Sequence, residues 1–135
     1  MAGVMYASAL GRDPAATYRQ IDVAGRTAIA DGPALVQLLY EELVSALRAA
    51  GHAVEHGQYR GKSERVTRAT AILFALEAGL DFDNGGDVSR TLARLYAGAR
   101  ATVLDAAMGD DPRPFRDTAD TLEEIAGAWR TARAA

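Results

Sequence analysis

His52 and His56 are the residues whose type and spacing come closest to metal chemistry. They are four positions apart, so a helix would place both imidazoles on one face, where a transition metal can be chelated. They are the only histidines, the chain has no cysteine, and no Glu-x-x-His pattern supplies further ligands. We therefore predict two exposed histidines near a helix C-terminus, where the helix dipole favours them. Zinc binding is the remote alternative, and we expect no metal and no cofactor.

The segment Asp81–Asp87 resembles a calcium-binding loop in composition but lacks its closing ligand. An EF-hand loop that began at Asp81 would need an acidic side chain at its twelfth position, which is Leu92. The sequence also contains no Walker A lysine motif, no Gly-x-Ser-x-Gly elbow and no Rossmann glycine fingerprint. We predict that this segment is a polar turn and that the protein has no enzymatic activity.

The composition is typical of a single soluble domain. The 135 residues carry a formal net charge of −3, with 49% hydrophobic and 24% charged residues. A dedicated nucleic-acid-binding protein would be clearly basic, and no apolar run approaches the roughly 20 residues of a membrane span. The absence of cysteine suits a reducing cytosol. We expect a cytoplasmic protein that binds no nucleic acid and does not insert into membranes.

Four segments have apolar residues at spacings that alternate between three and four, which is the pattern of helices packed in a left-handed bundle. The four rows are Leu35, Leu39, Leu43, Ala46, Leu47, Ala50 and Val54; Val66, Ala69, Leu73, Leu76 and Leu80; Val88, Leu92, Leu95, Ala99, Thr102 and Ala106; and Phe115, Thr118, Leu122, Ile125, Trp129 and Ala132. Asp111 and Pro112 are typical of the N-cap and first position of the last helix.

The predicted connections are short, at about residues 56–61, 81–86 and 108–111, and short connections make consecutive helices antiparallel. We therefore predict an all-α fold, an antiparallel up-down-up-down four-helix bundle over residues 31–135. The connection before the third helix is expected to turn at Gly85 and Gly86, which allow a left-handed or strained backbone. Asp87 then lies in the first turn of that helix, where its charge is favoured.

Residues 1–30 are predicted to form an N-terminal arm, or a short extra helix opened by Asp13 and Pro14. The arm has too few apolar residues to pack alone, so it either frays or lies on the bundle. The first long helix offers a surface for it, because Val36, Tyr40 and Val44 form an apolar row beside the core row. This extra row either widens the core or packs against the arm, or forms a groove for an apolar helix of a partner.

Three sequence blocks resemble the family of FliS flagellar secretion chaperones. The first is Leu-Val-Gln-Leu-Leu-Tyr-Glu at residues 35–41, and the third runs from residue 122 to residue 132 through Ile125 and Trp129. The second block, at residues 80–96, is the most specific and has these residues in register: Gly85, Gly86, Asp87, Val88, Leu92, Leu95 and Tyr96. Two departures are that the first helix is preceded by Asp-Gly-Pro at residues 31–33 and that its spacer from Val23 is long.

The resemblance implies a cytoplasmic chaperone that binds the disordered C-terminal segment of flagellin. Such a chaperone prevents premature polymerisation and presents the subunit to the flagellar export machinery. We expect client contacts from the first and third helices and a groove-covering arm around Tyr18 and Val23; the expected client-binding residues are Val36, Leu39, Tyr40, Val44, Leu95 and Tyr96. The alternative is a structural or regulatory bundle that forms a homodimer through the extra apolar face of the first helix.

Overall fold

The computed structural model of the chain describes residues 32–134, which form four helices. These are α1 (Gly32–Glu55), α2 (Tyr59–Ala78), α3 (Phe82–Ala106) and α4 (Arg113–Ala134). Helix α1 packs most extensively against α2 and α4, whereas the contact between α3 and α4 is the least extensive of the four seams. The predicted four-helix bundle is confirmed for these residues. The predicted arm at residues 1–30 lies outside them.

The connection between α1 and α2 is a tight turn that ends α1 with paired backbone groups. Gly57 adopts a left-handed conformation with φ of 65°, which a glycine reaches without steric cost. The Gln58 N–H donates to the Ala53 carbonyl at 2.8 Å, and the Gly57 N–H donates to the Val54 carbonyl at 3.2 Å. This is the Schellman pattern of a helix C-terminus, so the chain reverses with only residues 56–58 outside helix.

Helix α3 begins earlier than predicted, because a first helical turn precedes the glycine pair. The Asp81 carboxylate caps this turn by accepting the Asn84 N–H at 3.1 Å. The backbone then breaks from helical geometry at Gly86, with φ of 52° and ψ of −123°. The turn predicted at the glycine pair is confirmed by this kink, which separates two helical segments, and Asp87 lies in the first turn of the long regular segment that follows it.

The two glycines have different roles at this kink. Gly86 supplies the positive φ, which L side chains rarely adopt. Gly85 instead permits a close approach, since a Cβ there would lie 1.9 Å from the Ser89 Oγ. The Ser89 hydroxyl donates to the Asp81 carbonyl at 2.7 Å, so the side chain ties the regular part of α3 to its first turn.

Helix α4 begins at Arg113, one residue after the first helical position predicted at Pro112, and Asp111 caps it as predicted. The Asp111 carboxylate accepts the Arg113 backbone N–H at 2.9 Å and also pairs with the Arg113 guanidinium. These contacts stabilise the ionised form, so they hold the pKa of the Asp111 carboxyl below its usual range. The cap predicted at Asp111 is thus present, with Pro112 immediately before the first helical residue.

The core is a single apolar cluster to which all four helices contribute. The row predicted for α2 is confirmed at Val66, Ala69, Leu73 and Leu76. In α3 and α4 the buried row is displaced by one position at alternate turns: α3 buries Ser89, Tyr96, Ala99, Val103 and Ala106, and α4 buries Phe115, Ala119, Leu122 and Ala126. The prediction that Val88 is a core residue is wrong, because 66% of its surface is exposed. Thr102 is exposed as well.

Ion pairs connect helices across three of the four seams. Half-exposed pairs of this kind contribute little each, about 0–1 kcal/mol, and mainly fix register. The pairs are Arg48 with Asp120 at 3.1 Å, Arg68 with Glu42 at 2.5 Å, Arg100 with Glu77, and Arg116 with Glu55. Among the described residues no ion pair joins α3 to α4. Within residues 32–134 no helix is long and apolar enough to cross a membrane.

Candidate functional site

A pocket opens at the end of the bundle where α1 and α3 begin and α2 and α4 end. We call it the end pocket; its volume is about 320 Å³. Its walls are mainly aliphatic and aromatic, which is typical of sites that bind apolar groups. The lining residues are Val36, Leu76, Gly79, Leu80, Asp81, Asn84, Gly85, Val88, Ser89, Leu92, Tyr96 and Trp129.

The α3 side of the end pocket exposes apolar surface, because the kink at Gly86 sets the orientation of the helix. Ser89 takes the buried position at 5% exposure, since its hydroxyl is bonded to the Asp81 carbonyl. The neighbouring Val88 is consequently exposed at the rim, and Leu92 lies half-buried below it. An apolar ligand would therefore find aliphatic side chains from the rim inward.

The polar part of the rim is formed by the cap of α3. The Asp81 carboxylate accepts hydrogen bonds from the Asn84 side chain at 2.7 Å and from the Asn84 backbone N–H. These hydrogen bonds lower the pKa of the Asp81 carboxyl, so the group remains ionised at neutral pH. Because its oxygens are engaged in the cap, Asp81 is suited to shaping the rim rather than to acid–base chemistry.

The inner wall of the end pocket rests on a buried pair of tyrosines. Tyr40 on α1 and Tyr96 on α3 are 0% and 2% exposed, and their hydroxyls hydrogen-bond to each other. Their ring centroids are 6.3 Å apart at an angle of 58°. Burial raises the pKa of the Tyr40 hydroxyl, an effect partly offset by the nearby Tyr96 and Trp129 donors. The pair joins two helices that are diagonal in the bundle.

A second, shallower depression runs along the seam between α3 and α4. We call it the α3–α4 groove; its volume is about 270 Å³. It is lined by Arg94, Leu95, Gly98, Ala99, Thr102, Thr118, Thr121 and Leu122. The small side chains, and the limited contact between the two helices, leave room there for an additional chain.

The structure distributes the predicted client-binding residues over three environments. Val36 and Tyr96 line the end pocket, and Leu95 lines the α3–α4 groove. Leu39, Tyr40 and Val44 are at most 6% exposed, so the extra apolar row of α1 widens the core in the free bundle. Tyr18 and Val23 lie outside the described residues.

Sequence reasoning missed the larger part of the end pocket, including Leu80, Val88 and Trp129 as lining residues. Each of these belonged to a predicted core row, and helical periodicity alone gives no sign that a row ends in an open cavity. One local signal was available, since Val88 is the first apolar residue after the glycine pair and so belongs to the first turn of a helical segment.

The two histidines lie far from the end pocket, at the C-terminal end of α1. Both are exposed, and their rings stack with centroids 4.0 Å apart. The Nδ1 atom of His56 is 2.8 Å from the His52 carbonyl oxygen. Within the part of the chain that the structure describes, no three or more ligand-type side chains gather as they would around a metal ion.

The described residues thus form an antiparallel four-helix bundle with an apolar cavity between four helix ends. Comparison with known proteins identifies its family. A sequence model described as flagellar protein FliS matches residues 14–135. The chain therefore belongs to the FliS family, as its sequence blocks predicted.

Curated relatives support this assignment over most of their length. A flagellar secretion chaperone FliS of Salmonella typhimurium is 30% identical over 114 residues, 84% of each chain. The flagellar secretion chaperone FliS of Vibrio cholerae is 27% identical over 83% of this chain and 82% of its own. The relative FliSB of Pseudomonas aeruginosa is also 27% identical, over 83% of this chain and 89% of its own. Members of this family are chaperones and not enzymes, which confirms the prediction of no enzymatic activity.

Proposed function

We propose that this protein is a flagellar export chaperone that binds the disordered C-terminal segment of flagellin in the cytoplasm. It prevents premature polymerisation of the subunit and delivers it for flagellar secretion. Membership of the FliS family and the names of the relatives support the chaperone role. The observation that carries client binding is the end pocket, an apolar cavity with its rim open at Val88.

The end pocket and the α3–α4 groove share α3 as a common wall. Leu92 and Tyr96 face the first cavity, and Leu95 and Ala99 face the second. A client segment that followed α3 would therefore place apolar side chains in both. Coupled folding and binding of a disordered segment usually buries about 1,000–3,000 Å², which is more than either cavity offers alone. The proposed client contacts are the exposed parts of Val36, Leu95 and Tyr96, joined by Val88 and Leu92.

Two further parts of the proposal, the covering arm and the contact with the export machinery, come from the family resemblance, and a third rests on the burial of Leu39, Tyr40 and Val44. The arm around Tyr18 and Val23 covers the client surface until flagellin arrives. Leu39, Tyr40 and Val44 act from below, by shaping the helix surfaces that the client contacts. The loaded chaperone then contacts the export machinery through a surface that the client leaves free.

Binding of a labelled peptide that covers the last ~40 residues of the source organism's flagellin, a length suited to this burial, tests the proposal. We expect binding with a gain of helical circular dichroism. Val88→Ser and Leu92→Ser should each weaken binding about threefold to tenfold, because each exchanges an apolar wall for a hydroxyl. Leu104→Ser is the matched control, since Leu104 is 51% exposed on the same helix but lines neither cavity.

The same samples also test the alternative function, a structural or regulatory bundle that forms a homodimer. Sedimentation of the folded protein with and without peptide separates the two functions, because a chaperone complex changes mass on peptide addition. A stable homodimer that ignores the flagellin peptide would contradict client binding and favour the structural or regulatory alternative.

A further inference from the structure

The first turn of α3 contains a residue pair with chemistry of its own. Asn84 is the single asparagine of the chain, and it directly precedes Gly85. An asparagine followed by glycine is especially prone to deamidation, because glycine has no Cβ to hinder its backbone nitrogen. Asparagine is also one of the thermolabile residue types that proteins from hot environments avoid. Asn84 is exposed, so the water that the reaction consumes can reach it.

Deamidation is a ring closure followed by hydrolysis. The Gly85 backbone nitrogen forms a bond to the Asn84 Cγ, and the side-chain NH₂ leaves as ammonia with the proton from the Gly85 N–H. Water then adds its OH to one of the two carbonyls of the succinimide ring and its proton to the ring nitrogen. The ring opens to aspartate or to isoaspartate, depending on which C–N bond breaks. Water is therefore the one co-reactant.

The closed first turn of α3 restrains this reaction. The Gly85 N–H donates to the Asp81 carbonyl at 2.8 Å, and the Asn84 side chain donates to the Asp81 carboxylate at 2.7 Å. The two groups that must react are thus each held by a hydrogen bond to the same residue. A helical backbone also keeps the nitrogen of the next residue turned away from the side-chain carbonyl carbon. Ring closure therefore requires that this turn opens.

Opening of this turn costs less than opening of a helix interior. The backbone leaves helical geometry at Gly86, which separates the turn from the regular part of α3. Phe82 is 49% exposed, so little apolar surface covers the turn. Segments with few buried contacts and exposed hydrogen bonds open at a small free-energy cost. The reactive glycine is also required by the fold, since a Cβ on Gly85 would lie 1.9 Å from the Ser89 Oγ.

We propose that Asn84 is a deamidation site and that its product opens the cap of α3 at the rim of the end pocket. Aspartate at this position replaces the donor to the Asp81 carboxylate by a second carboxylate, so an attractive contact becomes repulsive. This loss exceeds the benefit of another negative charge near the helix N-terminus, because a hydrogen bond to a charged group contributes more than an exposed dipole contact. Isoaspartate adds a methylene group to the main chain and so displaces Gly85 as well.

Mass spectrometry of the folded full-length protein, incubated at physiological temperature and mildly alkaline pH, tests the reaction. Conversion of the amide to the acid adds about 1 Da. The gain should appear in the tryptic peptide of residues 69–90, which contains the single asparagine, and more slowly than in urea. Asn84→Gln should gain no mass in this peptide in the same time, because glutamine closes its ring far more slowly. A folded wild type that gains no mass while the chain in urea is fully converted would overturn the proposal.

A capping variant tests whether opening of the turn limits the rate. Asp81→Ala should speed deamidation of the folded protein about fivefold, the factor expected from the loss of a typical cap. Each rate is divided by the rate of the same variant in urea, which removes the effect of the neighbouring sequence on reactivity. Asp87→Ala is the control and should keep the wild-type ratio, since Asp87 pairs with Arg90 beyond the kink. Equal ratios for Asp81→Ala and the wild type would contradict the proposal.

Asn84→Asp tests the effect of the product on the cap without waiting for the reaction. The backbone amides of residues 84 and 85 both donate to Asp81. In Asn84→Asp they should exchange with solvent about threefold to tenfold faster than in the wild type, the loss of a typical net hydrogen bond. Asn84→Ala should show a smaller increase, because it removes the donor without adding a charge. Wild-type exchange at these amides in Asn84→Asp would show that the cap tolerates the new carboxylate, and the proposal would fail.

Discussion

At the scale of single residues, the kink in α3 depends on one glycine. Gly86 has φ of 52° and ψ of −123°, a conformation that is essentially restricted to glycine. It allows Ser89 to turn inward and bond the Asp81 carbonyl, which leaves Val88 at the rim of the end pocket. The family's glycine pair is thus linked physically to the shape of the candidate site.

Gly86→Ala should therefore lower the free energy of unfolding by about 1–3 kcal/mol, the usual cost of a strained backbone conformation. Urea denaturation followed by circular dichroism measures this. Gly98→Ala is the control on the same helix, because a Cβ at that position meets nothing within 4 Å. It should leave stability unchanged or raise it by up to about 1 kcal/mol through helix propensity. Equal effects of the two substitutions would contradict the assigned role of Gly86.

The Tyr40 hydroxyl gives a second prediction at this scale, concerning alkaline pH. Burial raises its pKa in the folded state above the usual 10.0, so the folded protein holds this proton more tightly than the unfolded chain. The resulting stabilisation is complete below the unfolded pKa and is lost as pH rises through the folded pKa. The free energy of unfolding should therefore fall above about pH 10.

Urea denaturation at a series of alkaline pH values checks this prediction. Tyr40→Phe should make the alkaline decline less steep, because the titrating group is gone. Tyr59→Phe should retain the wild-type decline, since Tyr59 is 69% exposed on the surface. An unchanged slope in Tyr40→Phe would show that other groups cause the decline.

At the scale of elements, α3 is the helix held least firmly. Its contact with α4 is the least extensive of the four seams, and among the described residues no ion pair bridges it. By contrast α1 packs closely against two neighbours and contributes eight buried apolar residues to the core, from Leu39 to Ala53. Both candidate cavities border α3. A client bound in them would therefore add contacts to the helix that packs least extensively in the free bundle.

Hydrogen exchange measured by mass spectrometry should show this difference. Backbone amides at residues 87–106 in α3 should exchange before those at residues 39–55 in α1, because local opening of α3 exposes less apolar surface. Binding of the flagellin peptide should slow exchange in α3 most. Earlier exchange of α1 than of α3 in the free protein would contradict this order.

At the scale of the whole molecule, one apolar core joins all four helices and leaves little reserve of stability. A domain of this size usually has a free energy of unfolding of about 5–15 kcal/mol. Leu43 lies in this core at 0% exposure. The loss of one such side chain therefore removes a large fraction of the free energy of unfolding.

Leu43→Ala should destabilise the protein by about 2–5 kcal/mol, through lost burial and the cavity left behind. Leu104→Ala, at a position that is 51% exposed, should cost under about 1 kcal/mol. Denaturation midpoints in urea compare the two. Similar losses would mean that Leu104 is covered in solution, for example by a second copy of the chain.

The sequence alone determined the local features of this protein. Helix period, the cap at Asp111 and the glycine requirement at residue 86 depend on neighbours within a few positions, so they were readable without a structure. The family blocks at residues 35–41, 80–96 and 122–132 were equally accessible. Fold class and family both followed from these local patterns.

Only the tertiary structure decided which side chains line a cavity. Two adjacent rows of side chains on a helix are offset by a single residue, and the sequence pattern of α3 fits either row. The pattern therefore could not show whether Val88 or Ser89 is buried. Ser89 is the buried residue because its hydroxyl donates a hydrogen bond to the Asp81 carbonyl across the kink. Likewise the sequence left the row through Tyr40 open between core and groove, and in the structure Tyr40 is buried with its hydroxyl bonded to that of Tyr96 on another helix. A pocket built from four helix ends exists only where those ends converge, and that convergence is a property of packing.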